Sequence, residues 1–365
     1  MNTIRVAVSG AGNIATSRHL PTYAASDRIN LVGVYDRNEQ KTRDASKEYD
    51  IPAADSFQEL CDRAELVVLC TPPDIHCEQA VKAMHAGCHV LTEKPMAMTT
   101  AETDEMIKVA EGTGQILSVV HNFLYMDSIL EARKLVDSGN LGTVTRTYMV
   151  KPESEQKRAK QYLERGDAGG EAWKLFRLFW DEAAHLMYLT EAFTDELSLR
   201  RAEVSSSVAT THGTIRAQFE GKSGAEGNLS MLLDAPISEW WFVVIGTDGI
   251  IFIDIYRDLT IKLNREPDHS ATRVLTVLLS GIFQAGFGAF ESGLSLLKDR
   301  YSGGNRIPDA GFSRQLEELL DSIETGGEPP VTGKQSARTI HAMEAVADAT
   351  RMQREKSVNS DQYKS

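Results

Sequence analysis

The chain predicts an α/β protein. An N-terminal Rossmann domain with a doubly wound parallel sheet precedes a C-terminal α+β domain with a large, open, mostly antiparallel sheet. Three observations predict this. Short apolar runs alternate with helix-length segments over residues 4–120, which is the pattern of βαβ units. Residues 6–15 read VAVSGAGNIA, a strand that enters a G-x-G-x-x-A turn and then a helix. From residue 203 the strand-like runs succeed one another without helices between them, so neighbours pair antiparallel. A length of 365 residues accommodates two cores, and we place the boundary between residues 121 and 122.

The glycine turn sets the chemistry of the N-terminal half. Gly10 permits the tight turn, and Gly12 lets the backbone approach a pyrophosphate. Ala15 stays small so that the helix packs close to the strand. Asn13 and Ile14 open that helix, whose first N–H groups face a phosphate. Asp36 ends the next apolar run, where a carboxylate accepts from ribose hydroxyls and repels a 2′-phosphate. NAD is therefore favoured, and the adjacent Arg37 leaves NADP open.

Residues 39–49 read as a charged helix, 51–53 as a short apolar piece, and Ser56 as the cap of a helix reaching Cys61. LVVLC at 66–70 is a continuous apolar run, a strand buried on both faces. It ends in Thr71-Pro72-Pro73, a rigid loop at the strand edge where ligands of open α/β sheets sit. A helix over 76–86 comes next, then a strand over 89–91 that leads into Glu93-Lys94-Pro95. Pro95 disfavours the helical region at Lys94, which is thereby held extended at the sheet edge. Thr99 with Glu102 forms a capping box for a helix over 101–111, and a strand over 116–120 leads to His121 and Asn122.

The second half opens with a helix over 129–138 and a strand over 144–151. Residues 152–174 read as a polar helix and connection, and 175–192 as a strong helix. Strands are expected over 203–210, 213–219, 225–234, 240–245, 250–256 and 259–263, with a turn at Gly246-Thr247-Asp248-Gly249. Asp181 and His185 lie four apart on the helix, hence on one face. Phe176, Phe179 and Trp180 read mainly as core.

The net charge is −13, from 39 basic and 52 acidic residues, which argues against nucleic acid or an anionic membrane as partner. Cys61, Cys70, Cys77 and Cys88 form no C-x-x-C, so neither a disulfide framework nor a zinc site is expected. Residues 274–297 carry one charge, Glu291, and are long enough to span a bilayer. Without loop asymmetry they read instead as a buried or interface helix. No signal peptide is read at the N-terminus, and a reducing cytoplasm is the expected compartment.

GAGNIA, the Asp after the second strand, TPPDIH at 71–76, AGCHVLTEKP at 86–95, the Asn122 stretch and the segment 312–351 together resemble the Gfo/Idh/MocA oxidoreductases. The resemblance implies that residues 1–121 bind NAD(P), with Gly10, Gly12, Asn13, Ile14, Asp36, Arg37, Thr71, Pro72, His76, Glu93, Lys94 and Asn122 on the cofactor side. It implies that residues 122–365 bind substrate and make an oligomer, a dimer or tetramer, through the open sheet face. Lys94 then bonds the reacting hydroxyl and the cofactor ribose, and a fixed cation there favours alkoxide character. His185 is implied as general base and Asp181 as its partner, with Trp173, Arg177 and Asn122 near the substrate. His76 could equally cap its helix.

The chain departs from the family pattern in three places. Gly169-Gly170 lies eleven residues before Asp181, Tyr188 stands where a second Asp is usual, and Phe123-Leu124 come after Asn122 where relatives have an arginine. The implied activity is hydride transfer between nicotinamide and a secondary alcohol of a sugar, sugar derivative or cyclitol. Glycoside cleavage through transient oxidation and non-catalytic NAD binding are the alternatives.

Overall fold

The computed structural model describes residues 3–154, 171–206, 213–265 and 310–350, together with Gly286; side chains are described from residue 178 in the helix that begins at 171. Two compact units are present: Met1–Met126 with Lys298–His341, and Asp127–Leu297 with Ala342–Ser365.

The first unit is built on five parallel strands, β1 (Ile4–Ser9), β2 (Ile29–Tyr35), β3 (Leu66–Leu69), β4 (His89–Thr92) and β5 (Leu117–Val119), in the order β2-β1-β3-β4-β5. A sixth position is reduced to one residue. Val34 donates to the Pro52 carbonyl at 3.0 Å and accepts from the Ala54 N–H at 3.0 Å, a parallel bridge with Ala53 beyond β2. Counting that bridge, the order is the doubly wound 3-2-1-4-5-6, and it reverses between β1 and β3. All of β3 is 0 % exposed, as are Val6 and Val8. A fully buried Val or Leu stabilises by about 1.5–3 kcal/mol, so the reversal point lies in the best-packed part of the sheet.

The helices between the strands are α1 (Leu20–Ala24), α2 (Glu39–Tyr49), α3 (Phe57–Arg63), α4 (His76–His85) and α5 (Thr100–Thr113). A π-helical turn, Ala15–His19, runs directly into α1. Ser56 accepts from the Glu59 N–H and caps α3. Thr99 accepts from the Glu102 N–H, and the Glu102 carboxylate accepts from the Met98 N–H, one residue before the cap.

The second unit holds α6 (Asp127–Asp137), α7 (Glu171–Thr194) and a sheet of β6 (Val144–Ser154), β7 (Leu197–Ser206), β8 (Gly213–Gly221), β9 (Glu226–Ala235), β10 (Trp241–Gly246), β11 (Gly249–Asp254) and β12 (Leu259–Asn264). The order is β12-β11-β10-β6-β9-β8-β7. β6 and β9 pair parallel and the other neighbours antiparallel. Alternation decides the faces: Met149, Leu229, Met231, Phe242, Val244, Ile251 and Ile253 are buried, and α7 packs against β6, β8 and β9. β6 extends through Pro152, Glu153 and Ser154, which the residue pattern assigns to a polar connection. Phe179 and Trp180 are core, as expected.

The C-terminal pair α8 (Ala310–Thr325) and α9 (Gly333–Ala349) also departs from expectation. A boundary at 121/122 assigns it to the second domain, whereas its residues to His341 pack with the first unit. Gln315 explains this. Its amide donates to the Val119 carbonyl at 2.7 Å and accepts from the His121 N–H at 3.0 Å. Ser118 donates to the Val331 carbonyl at 2.8 Å. Gln315→Ala leaves two buried backbone groups without partners. We expect a loss of about 1–3 kcal/mol in urea unfolding, and a change within 0.5 kcal/mol (about the scatter of a neutral surface substitution) contradicts the docking role.

Candidate active site

The glycine turn lies at the carboxyl end of β1, beside the end of β3. Gly10 has φ +93°, and a Cβ there would lie 2.7 Å from the Cys70 carbonyl oxygen. A Cβ on Gly12 would meet nothing within 4 Å. The first position is closed by protein and the second opens on space that a phosphate can approach. Thr16 N–H donates to the Gly12 carbonyl at 3.1 Å, the first turn of the helical run. The N–H groups of Asn13, Ile14 and Ala15 precede that ladder. Asn13 is exposed and Ile14 half-buried. The cradle, the exposed helix start and the acid below fit a dinucleotide.

Asp36 joins the turn to β2. Its Oδ2 accepts from the Ala11 N–H and its Oδ1 from the Asn38 N–H, both at 2.8 Å. Each oxygen has a further lone pair for a ribose hydroxyl. Arg37 beside it is exposed. Across the reversal point, half-buried Thr71 donates to Gln79 Oε1 at 2.9 Å, and Pro72 is exposed.

His76 is fully buried, with Nε2 2.8 Å from the Thr71 carbonyl and Nδ1 3.1 Å from the Pro95 carbonyl. Burial pushes its pKa down. Its ring braces two loops at the sheet edge. Lys94 is half-buried at the end of β4. Glu93 is buried, its Oε1 2.8 Å from His19 Nε2 and its Oε2 accepting the Lys94 N–H at 3.0 Å. Both oxygens are thus engaged inside the protein. Asn122 is buried in the turn after β5.

In the second unit α7 carries Asp181, half-buried, and His185, 7 % exposed. His185 Nδ1 lies 2.7 Å from the Tyr188 hydroxyl, and Trp240 packs on the ring at 5.9 Å between centroids. The Tyr188 phenol thus provides a polar partner for the imidazole. The side chains of Trp173 and Arg177 lie outside the described residues, as do residues 274–297 apart from Gly286. Among the described residues no helix is long and apolar enough to cross a membrane, and no group of three metal-ligating side chains comes together.

Sequence reasoning missed two clusters. The first is Tyr23 and His19 beneath Glu93. The second surrounds Lys151, 3 % exposed at the side chain, with Nζ 2.8 Å from Glu153 and 2.9 Å from Glu182. Its ammonium lies 5.3 Å from the Trp240 ring centre and 5.9 Å from that of Tyr256. Glu182 falls three residues before His185, and that spacing on α7 was the available signal.

Residues 4–121 match the family model described as "Oxidoreductase family, NAD-binding Rossmann fold". The scyllo-inositol 2-dehydrogenase (NADP(+)) IolW of Bacillus subtilis is 24 % identical over 97 % of this chain and 96 % of its own length. The D-glucoside 3-dehydrogenase of Escherichia coli is 31 % identical over 39 % of this chain and 41 % of its own. Among solved structures, the WlbA dehydrogenase from Bordetella pertussis in complex with NADH and UDP-GlcNAcA superposes with a TM-score of 0.74, at 18 % identity and 96 % coverage of both chains.

His121 lets the electrostatics of this edge be tested. It is buried with Nε2 3.2 Å from Ser336 Oγ, and burial pushes its pKa down to about 3. The unfolded chain takes up a proton near pH 6.5 that the folded ring refuses. Stability is thus present above pH 6.5 and falls as the pH drops toward 3, by up to about 1.4 kcal/mol per pH unit for this group. His76 and His89, also lowered by burial, add the same sign. Urea titrations from pH 7 to 4 should show a shallower slope for His121→Gln; an unchanged slope contradicts the assignment.

Proposed function

We propose that the chain is a Gfo/Idh/MocA oxidoreductase, as the family match over residues 4–121 and the inositol dehydrogenase relatives support, and that it is an NAD(P)-dependent dehydrogenase acting on a secondary alcohol of a cyclitol or sugar. The observation that carries this reading is Lys94, held at the carboxyl edge of the Rossmann sheet, the same edge as the Gly10–Gly12 cradle. The named activities of the relatives, inositol and glucoside dehydrogenation, support the substrate class.

Gly10, Gly12, Asn13 and Ile14 would hold the pyrophosphate, and Asp36 the adenosine ribose. Asp36 favours NAD, and exposed Arg37 leaves room for a 2′-phosphate. Bound nicotinamide supplies the hydride acceptor or donor. Lys94 polarises the reacting hydroxyl, since a fixed cation is worth most where negative charge develops. His185 takes the hydroxyl proton. If Nδ1–H donates to the Tyr188 oxygen, Nε2 is left with the lone pair a base requires. Asp181, Trp173, Arg177 and Asn122 are assigned to the substrate.

Cys61, Cys70, Cys77 and Cys88 are free thiols, and we assign the protein to a reducing cytoplasm. Lys94→Ala should lower turnover about a hundred- to thousandfold, the scale of losing a key transition-state donor, while dinucleotide binding stays within a few-fold. A panel of inositols and sugars with NAD and NADP, followed at the NADH absorbance band, tests this. Unchanged turnover in the variant contradicts the role of Lys94, and turnover without accumulated NADH points to transient oxidation instead.

The sheet of the second unit supports self-association. Opposite its α7 face, Trp241 pairs with Val150, Val243 with Tyr148 and Phe252, and Ile245 with Ile250. These side chains are half-buried, and Tyr148 is 41 % exposed. A contiguous apolar face of this kind marks an interface. Light scattering should find more than one copy per particle, with Val243→Glu shifted toward monomer; a monomeric parent chain contradicts the reading.

A further inference from the structure

Glu93 is the buried anion on which the active-site edge rests. It is 5 % exposed, His19 1 % and Tyr23 3 %. His19 Nδ1 lies 2.7 Å from Tyr23 Oη, and Nε2 lies 2.8 Å from Glu93 Oε1. The other carboxylate oxygen accepts the Lys94 N–H at 3.0 Å. Burial holds the Tyr23 phenol well above its usual pKa, so it stays a donor. One proton arrangement then satisfies every atom: Tyr23 O–H donates to Nδ1, and Nε2–H donates to the carboxylate. Burial alone would raise the Glu93 pKa, but the His19 hydrogen bond and the nearby Lys94 charge hold it below the usual carboxylate value. Cys70 and His76 are the other titratable groups that feel this charge.

A carboxylate serving only as a cofactor ligand has no need of two protein donors in the interior. A carboxylate that orients its neighbour does, because a buried anion holds one position only when its oxygens are hydrogen-bonded. The geometry also runs through the dinucleotide turn. His19 closes the π-helical turn that comes after Gly12, and Tyr23 lies one turn further along the same helical run. The segment that forms the cradle is thus tied to the residue before Lys94.

We propose that Tyr23, His19 and Glu93 form a positioning chain for Lys94, in which the Glu93 carboxylate, itself held by His19, fixes the Lys94 backbone and with it the direction of the side chain. The proposal rests on the assignment of Lys94 to the reacting hydroxyl. Glu93→Gln removes the charge while keeping an acceptor for the Lys94 N–H, and its amide can donate to His19 in the other tautomer. His19→Gln keeps a donor toward Glu93, and His19→Leu removes it.

Two readouts test this on the full-length protein. The first needs no turnover: trace acetylation with acetic anhydride at pH 8, with the Lys94 peptide quantified by mass spectrometry against other lysines. Glu93→Gln should raise Lys94 labelling about threefold, because a half-buried side chain on a loosened strand end is reached more often. The second is steady-state kinetics with the best substrate of the inositol and sugar panel. Glu93→Gln and His19→Leu should lower kcat about ten- to hundredfold, the scale of a misplaced catalytic group. KM and dinucleotide binding should stay within about threefold, and His19→Gln should recover most of the loss. If Glu93→Gln does not fold, the two His19 variants and Tyr23→Phe carry the test, with labelling and kcat moving in the same directions. Folded variants with parental labelling and parental kcat overturn the chain. Lys94→Ala with retained turnover overturns the assignment of Lys94 to the reaction, whatever the labelling shows.

Discussion

The close approach of two strand ends constrains the first unit more than any other contact. Adjacent parallel strands lie about 4.8 Å apart, and the chain leaving β1 must pass over the end of β3. A Cβ at residue 10 would lie 2.7 Å from the Cys70 carbonyl oxygen. Glycine at positive φ resolves this, and the pairing continues through it: Gly10 N–H donates to the Tyr35 carbonyl and Cys70 N–H to the Ser9 carbonyl, each at 2.7 Å. Asp36 then locks the turn from the other side through the Ala11 N–H. The cradle is therefore rigid because three strand ends converge on it.

The two units solve one electrostatic problem in different ways. Each buries a charge, and desolvation costs several kcal/mol per ion. In the first unit a carboxylate is balanced by an imidazole and a backbone N–H. In the second, Lys151 is held by Glu153 and Glu182 and lies against Trp240 and Tyr256. Ser238 donates to Glu153 at 3.2 Å and accepts from the Ser154 N–H at 3.1 Å. Trp240 also packs on His185, so the ionic cluster and the imidazole share a wall.

Much of the architecture was legible in the residues because it is written locally. The apolar run at 66–70, the caps at Ser56 and Thr99 and the Gly246–Gly249 turn each depend on neighbours within a few positions. The third strand of the Rossmann order was not legible, since a single paired residue at Ala53 leaves no period to read. Residues 152–154 were misread because Glu153 is polar in composition and buried in fact, and its pairing with neighbouring Lys151 and remote Ser238 shows only in the fold. The placement of Gln315 against β5 and the pairing of His19 with Glu93 are likewise contacts between remote segments. Lys94 was found through its motif, and its support was not, because His19 looks like any helical histidine until the fold closes.

The route of the chain through the first unit has a consequence for its synthesis. Gln315 reaches back 194 residues to His121, Ser118 reaches forward 213 residues to Val331, and Ser336 pairs with His121 across 215. The ribosome completes residues 4–121 long before it makes α8 and α9. A nascent chain therefore carries β5 and the His121 N–H without their final partners while residues 127–297 of the second unit are being translated. Loop closure over such a span is entropically costly and slow. The first unit is begun at the N-terminus and completed only once residues 298–341 have been made.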